Sequence, residues 1–378
     1  MGAAERPHPA RDGVLALSAQ DLPVGALPSA GARRVALAID ALRHGWPIRI
    51  GEGPALLPVE TGFAPGLTGP RMLISAARAV TLKLANQREA AVPEAPVLIR
   101  GAEVFDLDLA RAIADPALDL VHPMKGPFAA ESMKQPEAAR TAMELARIAG
   151  ILPAFLVLPD LMGEVQQVSG VDLAEWKDTR RLLVASRARL PVEVCENAEI
   201  VAFRSLDDLR EHVALVIGTQ NGEKPPLVRL HSECLTGDIL GSLKCDCGPQ
   251  LKAALAAMAR EAEAGGWGVL LYMRQEGRGI GLVNKLRAYR LQDQGFDTVD
   301  ANNRLGLPTE ARDFPVAARM LELLGVPAIR LMTNNPAKVE ALRGVGVDVL
   351  ERVPHQLPAN PHNARYLDTK RDRTGHIL

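Results

Sequence analysis

Three cysteines in the second half of the chain have a spacing that suits a metal ion. Cys234 is followed, after ten residues, by the pair Cys245 and Cys247, so a loop and a tight turn can bring three sulfur atoms around one tetrahedral ion. Thiolates favour zinc over magnesium or calcium. Structural zinc sites are usually closed by four side chains, whereas catalytic sites leave one position for water. The spacing therefore predicts zinc, and the count of three favours a catalytic site.

Two other interpretations of these cysteines stay open. Isolated cysteines are often small buried apolar residues. His231 lies close enough in sequence to be a fourth ligand, which would make a structural Cys₃His site. A disulfide is disfavoured, because Cys245 and Cys247 are too close in sequence to bridge comfortably and nothing indicates an oxidising compartment.

A second group of polar residues follows the apolar run GVLLYM. The segment RQEGRGIG places Gln275, Glu276, Gly277 and Arg278 between a predicted strand and a predicted helix, where backbone amides and the helix dipole can hold phosphate. It matches neither GxxxxGK[ST] nor GxGxxG, which disfavours P-loop and Rossmann sites. The alternative is a solvated basic helix face, but the crowding of polar groups at a strand end favours a ligand.

Two later segments add polar groups at comparable places. LGLPTEARDF puts Glu310, Arg312 and Asp313 in a loop ahead of a helix, and IRLMTNNPAKVEAL puts Thr333 and Lys338 at a strand-to-helix turn. Ligands of α/β sheets bind where strands end and helices begin. Lys338 alone would be interpreted as an exposed first-turn lysine, and its place in this series is what predicts a binding role.

The elements around these residues predict an α/β fold of mixed sheets with flanking helices, in two domains. Residues 1–30 are rich in proline, glycine and alanine and are expected to form a flexible arm. Short β runs alternate with Ala/Leu-rich helices in residues 31–188, for example RTAMELARIAG and the strand ILPAFLVLP. Residues 189–378 form the second predicted domain, which holds all the candidate site residues.

Composition excludes several classes of partner. The 378-residue chain has a net charge of -1 and only 3% aromatic residues, which gives no case for nucleic acid or an anionic membrane. No apolar run approaches the ~18 residues of a membrane span. The start MGAAERPHPARDG lacks the apolar core of a signal peptide, so we expect a cytoplasmic protein.

The motifs RLHSECLTGD, CDCG, RQEGRGIGL, KLRAY, QDQGFDT, ARDF and LMTNNPAK together make residues 190–378 resemble GTP cyclohydrolase II. The resemblance implies conversion of GTP and water to formate, pyrophosphate and 2,5-diamino-6-(5-phosphoribosylamino)pyrimidin-4-one, the first step of riboflavin synthesis. It also implies one Zn²⁺ on Cys234, Cys245 and Cys247 with water as the fourth ligand, and a homodimer.

Three residues receive catalytic roles from the same resemblance. Tyr289 would pass protons during ring opening. Arg312 would be the nucleophile on the α-phosphate, with Glu310 as its base where the family has an aspartate. Arginine is almost always protonated, so two alternatives stay open: Asp313 as the base, and Arg312 as a purely electrostatic clamp.

The remaining implied residues contact GTP, with Mg²⁺ bridging its triphosphate. A carboxylate such as Glu276 can accept hydrogen bonds from guanine N1–H and N2–H₂, and the cations can neutralise phosphate. The implied set is Arg229, Leu230, His231, Ser232, Glu233, Gln250, Glu276, Gly277, Arg278, Thr298, Thr333 and Lys338.

The amino-terminal half resembles 3,4-dihydroxy-2-butanone-4-phosphate synthase without its chemistry. AIDALRHGWPIRI, DLVHPM and ARTAMELARIAGILPAFLV carry the likeness. The acidic run that holds magnesium in that family is replaced by GEGPALLPVE, a metal-binding histidine aligns with Ala138, and a catalytic glutamate aligns with Asp160. We expect a degenerate half without synthase activity. The alternatives are an unrelated α/β domain, a bifunctional enzyme, a non-catalytic zinc protein, or a diverged paralogue acting on GTP.

Overall fold

Two seven-stranded sheets with flanking helices make up this computed structural model, which describes residues 29–92, 94–161, 163–208, 210–220 and 224–377. The predicted α/β fold with mixed sheets is confirmed. The arm predicted for residues 1–30 lies almost wholly outside the described residues. No helix in the described ranges is both long and apolar enough to cross a membrane.

The first sheet contains both antiparallel and parallel pairs, in the order β5-β4-β3-β6-β2-β1-β7. Only β1 and β7 pair in parallel. Its strands are β1 (Ile48–Ile50), β2 (Ala55–Pro58), β3 (Arg71–Ile74), β4 (Val97–Gly101), β5 (Phe128–Glu131), β6 (Ala154–Leu158) and β7 (Gln166–Val168). Its helices are α1 (Ala30–Arg43), α2 (Ala76–Thr81), α3 (Leu107–Ala114), α4 (Pro136–Ala149) and α5 (Gly170–Trp176).

Local sequence signals explain the central elements of this half. Helix α4 begins with Pro136, whose fixed φ suits the first helical position. It ends at Gly150, which has the left-handed φ of 78° that favours glycine. Strand β6 follows and is buried along its whole length, as the apolar run AFLVL predicts.

The second sheet has the order β14-β13-β11-β12-β10-β9-β8, and its first four strands are parallel. Its strands are β8 (Leu182–Arg189), β9 (Ala198–Ser205), β10 (Glu211–Gly218), β11 (Leu227–Ser232), β12 (Trp267–Met273), β13 (Ala328–Met332) and β14 (Asp348–Val353). Its helices are α6 (Cys247–Glu263), α7 (Glu276–Gly279), α8 (Leu282–Asp293), α9 (Thr298–Arg304), α10 (Phe314–Leu323), α11 (Pro336–Gly344) and α12 (Ala364–Thr374).

The second sheet begins earlier in the chain than the predicted division at residues 188 and 189. That division falls inside β8, which pairs with β9 from Leu182 onwards. The two-domain division itself stays a prediction.

One apolar core joins the two halves. Side chains of β2, β3, β4 and β6 pack in the same cluster as side chains of α8 and α9. Ala288 and Leu291 on α8, Ala301 on α9 and Leu305 just after α9 belong to this cluster, and each is 4% exposed or less. The amino-terminal half therefore supports the helices that lie beside the candidate site.

Candidate active site

The carboxyl ends of the parallel strands β11, β12 and β13 open into one cavity. β11 leads to Cys234, β12 to Gln275 and β13 to Thr333. All the metal-ligand, catalytic and GTP-contact residues that the family resemblance implies line this cavity except Glu310; Gln275 and the alternative base Asp313 do not line it either. The convergence follows from the parallel pairing, because the carboxyl ends of such strands lie at the same edge of a sheet.

The three predicted metal ligands form a compact cluster. Cys234 lies just after β11, Cys245 lies in the following loop, and Cys247 is the first residue of α6. Their sulfur atoms lie within 4.8 Å of one another, and Cys234 Sγ is 3.7 Å from Cys245 Sγ. Two thiolates on one tetrahedral zinc are about 3.8 Å apart, given a Zn–S bond of about 2.3 Å. The cysteines therefore fit zinc without rearrangement.

Two glycines allow the sulfur atoms to approach. A methyl group at Gly237 would lie 2.8 Å from Cys245 Sγ and 3.0 Å from Cys234 Sγ. A methyl group at Gly248 would lie 2.2 Å from the carbonyl oxygen of Gly237. A single π-helical turn, Leu235–Ile239, carries Gly237 against the start of α6. The glycines thus bring the loop close enough to make the cluster.

His231 does not belong to this cluster. Its Nε2 lies 3.0 Å from Asp238 Oδ1, and its ring stacks on Tyr272. Asp238 also accepts hydrogen bonds from the Tyr272 hydroxyl and from the Cys234 backbone amide, each at 3.0 Å. Within the described ranges, Cys234, Cys245 and Cys247 alone form a metal-ligating group of this kind. The geometry therefore supports three protein ligands rather than Cys₃His.

Lys285 joins the cysteines to the predicted guanine-binding carboxylate. Its Nζ donates to Cys234 Sγ and Thr236 Oγ1 at 3.0 Å, and to Glu276 Oε1 at 2.8 Å. Glu276 Oε2 accepts from the Leu235 amide at 2.7 Å. The neighbouring thiols of Cys245 and Cys247, and then Lys285, lower the pKa of the Cys234 thiol. These contacts favour the thiolate that a metal needs.

Tyr289 stands on α8 beside the same cluster. Its hydroxyl lies 3.4 Å from Thr236 Oγ1, and the Lys285 ammonium lies 5.7 Å from its ring centroid. Burial raises the pKa of Tyr289 well above its ordinary value. The phenol is therefore protonated at neutral pH and able to donate a proton.

Arg312 and Glu310 form an ion pair at the cavity wall. Arg312 Nε donates to Glu310 Oε1 at 2.7 Å, and Arg312 Nη2 contacts Oε2. Burial opposes ionisation of Glu310, but the Arg312 hydrogen bonds and charge lower the pKa of this carboxyl below its ordinary value. Asp313 instead caps helix α10, where its Oδ1 accepts from the Val316 amide at 3.3 Å. Glu310 is thus the carboxylate hydrogen-bonded to the guanidinium.

Buried cations without complete hydrogen bonding face the cavity. Arg229 donates to the Met332 carbonyl at 3.1 Å and to Gln250, but its buried Nε has no partner. Burial lowers the pKa of Arg229 to about 10. Burial also lowers the pKa of Lys338, and the charges of Arg312 and Arg229 add to this effect. Unpaired buried cations are costly, which indicates an anionic ligand.

The other predicted contact residues occupy the ends of neighbouring elements. Thr298 begins α9, and its hydroxyl accepts from Gln292 at 3.3 Å. Thr333 follows β13, and its hydroxyl accepts from the Asn335 amide at 3.1 Å. Gln275, next to Glu276, accepts from the Asp313 amide at 2.9 Å. These bonds fix the loops around the cavity.

Several lining residues were not predicted from the sequence. Lys285 belongs to the basic face of α8, and nothing in its sequence position predicts that it points into the cavity. Three residues of the segment YLDTKRDRTGHIL also line the cavity, namely Tyr366, Lys370 and His376. Because these residues are far from the cysteines in the sequence, the sequence alone does not predict that they line the same cavity.

The fold and site define a class: an α/β protein with a three-cysteine metal site beside a cationic cavity. A sequence profile described as GTP cyclohydrolase II matches residues 183–354. The GTP cyclohydrolase-2 of Azospirillum brasilense is 42% identical over 383 residues, covering 94% of this chain and 97% of that protein. The chain belongs to the GTP cyclohydrolase II family, whose members are hydrolases that use GTP and serve riboflavin biosynthesis.

Two further similarities cover different shares of the chain. The riboflavin biosynthesis protein RibBA of Bacillus cereus strain ATCC 14579 is 46% identical over 256 residues, or 63% of each chain. The crystal structure of RibBX, a two domain 3,4-dihydroxy-2-butanone 4-phosphate synthase from A. baumannii, aligns at 18% identity over 85% of this chain and 99% of that chain. Its TM-score of 0.29 is too low to indicate a shared overall fold.

Proposed function

We propose that this protein hydrolyses GTP to 2,5-diamino-6-(5-phosphoribosylamino)pyrimidin-4-one, formate and pyrophosphate, in the first step of riboflavin biosynthesis, with one zinc ion per subunit. The observation that carries the proposal is the three-thiol cluster beside buried, incompletely paired cations. A structural zinc site explains neither the cations nor the cavity.

Cys234, Cys245 and Cys247 would hold the metal. Zinc bound by three thiolates supplies Lewis-acid activation of water. Lys285 offsets the negative charge of the Cys234 thiolate through its 3.0 Å contact. Asp238 orients the loop by accepting from the Cys234 amide.

Arg229, Arg278 and Lys338 would bind the triphosphate, together with Mg²⁺. Within the described ranges, neither Lys338 Nζ nor the Arg278 guanidinium has a hydrogen-bond acceptor, so both are available to phosphate oxygens. An anion would also offset the burial that lowers the pKa of Lys338. Lys338 and Arg278 would then gain acceptors that the described residues do not provide, and Arg229, which already donates to Met332 and Gln250, would gain a partner for its Nε.

Glu276 would recognise the guanine edge, with Ser232, Glu233 and Thr298 nearby. Its carboxylate already accepts from Lys285 and the Gly277 amide at Oε1 and from the Leu235 amide at Oε2. A carboxylate offers about four acceptor positions, so one position is free for a guanine donor, and binding both N1–H and N2–H₂ would require one of the three present donors to move away. Adenine lacks this donor pair, and the site would therefore select GTP over ATP.

Tyr289, Arg312 and Glu310 would carry the proton and phosphate chemistry. Tyr289 would donate a proton during ring opening, consistent with its raised pKa. Arg312 would either clamp the α-phosphate or attack it. In the attack, a P–N bond would form at the α-phosphorus, the bond to the β-phosphate would break so that pyrophosphate leaves, Glu310 would accept the proton that the guanidinium loses, and water would later cleave the P–N bond to release the nucleotide. The hydrogen bonds between Glu310 and Arg312 support Glu310 rather than Asp313 in this role.

For the amino-terminal half we propose a role without synthase activity. Glu52 is exposed in the β1–β2 loop, and Ala138 and Asp160 offer no metal cluster. Ribulose 5-phosphate should therefore give no butanone phosphate, and its formation would instead favour the bifunctional alternative.

The two-domain division (31–188 and 189–378), the cytoplasmic location and the homodimer remain part of the proposal. Gel filtration with light scattering would measure the subunit number. A dimer is expected, and a monomer at micromolar concentration would contradict this part of the proposal alone.

Replacement of one thiol tests the proposal most simply. Cys245→Ser should remove bound zinc, measured by elemental analysis, and abolish formate release from GTP. Cys195→Ser is the matched control, because Cys195 is a free cysteine outside the cluster. Normal formate release by metal-free protein would refute the zinc-dependent mechanism.

A further inference from the structure

The carboxyl-terminal segment, residues 364–377, forms part of the cavity wall. This segment comprises α12 and the three residues after it. Tyr366, Lys370 and His376 line the cavity together with the predicted GTP contacts. The family profile ends at residue 354, so it assigns nothing to this segment.

Lys370 connects the segment to the loop of the metal ligands. Its Nζ lies 2.7 Å from Asp246 Oδ1 and 3.0 Å from Oδ2. Asp246 stands between Cys245 and Cys247 in the sequence. The Lys370 ammonium also lies 4.4 Å from the ring centroid of Tyr366. A buried cation is thereby held at the cavity wall by one carboxylate and one aromatic face.

The far end of the segment is bound to two other parts of the site. The Ile377 amide donates to the Asn334 carbonyl at 2.8 Å, in the turn between Thr333 and Lys338. Arg373 Nη1 donates to Asp297 Oδ2 at 2.7 Å, next to Thr298. The segment therefore bridges the metal loop, the β13–α11 turn and the start of α9.

The cavity behind the segment is positively charged and small. Burial lowers the pKa of His376, and the positive charges of four neighbouring residues lower it further: Lys370, Arg278, Lys338 and Arg312. The cavity has a volume of about 150 Å³, whereas pockets for small-molecule ligands usually measure about 300–1,000 Å³. A nucleoside triphosphate needs more room than about 150 Å³, so we expect the wall that residues 364–377 contribute to be displaced when the nucleotide enters.

We propose that residues 364–377 are a substrate-binding flap, which opens to admit the nucleotide and closes with Lys370 contributing to triphosphate binding. This inference rests on the proposed function. Residues 364–377 are paired into neither sheet, and their contacts through Lys370, Arg373 and the Ile377 amide end at Asp246, Asp297 and Asn334, each beside a predicted metal ligand or GTP contact.

Substitution of Lys370 tests the binding role. Lys370→Met should raise KM for GTP about tenfold or more, the worth of a charge-assisted hydrogen bond, while kcat falls less and bound zinc is unchanged. Lys370→Arg should recover most of the affinity. Arg371→Gln is the control, because Arg371 is exposed and pairs with Asp368 and Asp372 on the surface. An unchanged KM, or a loss of zinc in Lys370→Met, would overturn the inference.

Proteolysis of the unaltered holoenzyme tests the motion without any variant. Trypsin can cut after Lys370, Arg371 and Arg373 once α12 opens. Saturating α,β-methylene GTP should slow this cleavage severalfold, whereas the corresponding ATP analogue should not. Equal cleavage rates with and without the guanine analogue would overturn the flap. If the holoenzyme releases no formate from GTP, the proposed function fails; if it does and Lys370→Met behaves as wild type, only this inference fails.

Discussion

At the residue scale, Glu310 and Arg312 have different parts in the proposed phosphate chemistry. Arg312 faces the cavity, while Glu310 lies behind it and holds the guanidinium through Nε and Nη2. The lowered pKa keeps Glu310 ionised at neutral pH. A carboxylate in this position can orient the guanidinium and also accept its proton.

Substitutions at Glu310 distinguish its two proposed roles, orienting the Arg312 guanidinium and accepting its proton. Glu310→Gln should reduce pyrophosphate release about 10²-fold, the usual contribution of a general base. Glu310→Asp should retain more activity because it keeps the acid. Glu322→Gln is a suitable control, since Glu322 is an exposed partner of Arg319. A fully active Glu310→Gln enzyme would transfer the base role to Asp313 or leave Arg312 as a clamp.

His212 gives a pH dependence that is independent of the site chemistry. Its Nδ1 accepts from the Arg274 amide at 3.1 Å, and burial lowers the pKa of His212 to about 4. The unfolded chain binds this proton near pH 6.5, so the folded state loses stability as pH falls from about 6.5 to 4. Between pH 7 and pH 5, His212→Gln should remove a contribution on the order of 2 kcal/mol to this loss. Urea unfolding at pH 7 and pH 5 measures it, and an unchanged pH slope would contradict the prediction.

Residue types and spacing predicted part of the set of groups that face the cavity. The cysteines and Lys338 could be assigned because they lie in short motifs after strands, and Arg312 because it lies in a polar loop ahead of a helix; Arg229, inside β11, was implied only by the family resemblance. Lys285 and Lys370 could not, because a single lysine on a helix carries no signal until packing directs it inward. Their roles depend on contacts with Glu276 and Asp246, which only tertiary structure brings near.

At the scale of elements, the loop that carries Cys234 and Cys245 depends on the close approach of its backbone to the start of α6. The π-helical turn Leu235–Ile239 lies against the start of α6, and Gly237 fills the space between the sulfur atoms. The Gly237 amide donates to Cys234 Sγ at 3.3 Å. Any side chain at this position has to displace a ligand.

Gly237→Ala should weaken zinc binding by at least tenfold, because the added methyl group would meet Cys245 Sγ at 2.8 Å. Competition with a chromogenic chelator measures the affinity. Gly344→Ala is the matched control, since a methyl group there meets no atom within 4 Å. Equal zinc affinity in the two variants would argue against this packing.

Strong apolar patterns made the central elements predictable, and weak ones did not. The apolar runs in HVALVIG, PPLVRLHSE and GVLLYM predict β10, β11 and β12, and the Ala/Leu-rich PQLKAALAAMAREAEAGG predicts α6. Strands β8 and β9 were missed, because β8 is an edge strand whose burial declines towards Arg189. The turn before α8 was also missed: Gly277 and Arg278 both have a φ of 62°, so the chain reverses before the helix begins.

At the scale of the whole molecule, the amino-terminal half holds α7 and α8 in place, and α8 carries Tyr289. Arg287 Nη1 donates to Glu60 Oε2 at 2.9 Å, and Glu60 also accepts from the Leu152 amide. Arg147 donates to the Gly279 carbonyl at 3.0 Å. Such contacts join residues that are far apart in the sequence, and sequence motifs therefore do not predict them.

The shared core should make the two halves depend on each other for stability. Leu291→Ala should lower the free energy of unfolding by about 2–5 kcal/mol, since Leu291 is 1% exposed in that core. Leu286→Ala on the same helix is the control, because Leu286 is 49% exposed. Denaturant titration measures both. A negligible cost for Leu291→Ala would mean that the halves are energetically independent.

The central claim is that a three-thiol metal site beside a cationic cavity opens the guanine ring and releases pyrophosphate. Incubation of the zinc-loaded protein with GTP, with formate, pyrophosphate and the pyrimidine product measured together, tests it most directly. We predict equal amounts of all three products, and none after chelation of the metal. Pyrophosphate without formate, or unchanged GTP in the presence of bound zinc, would contradict the account.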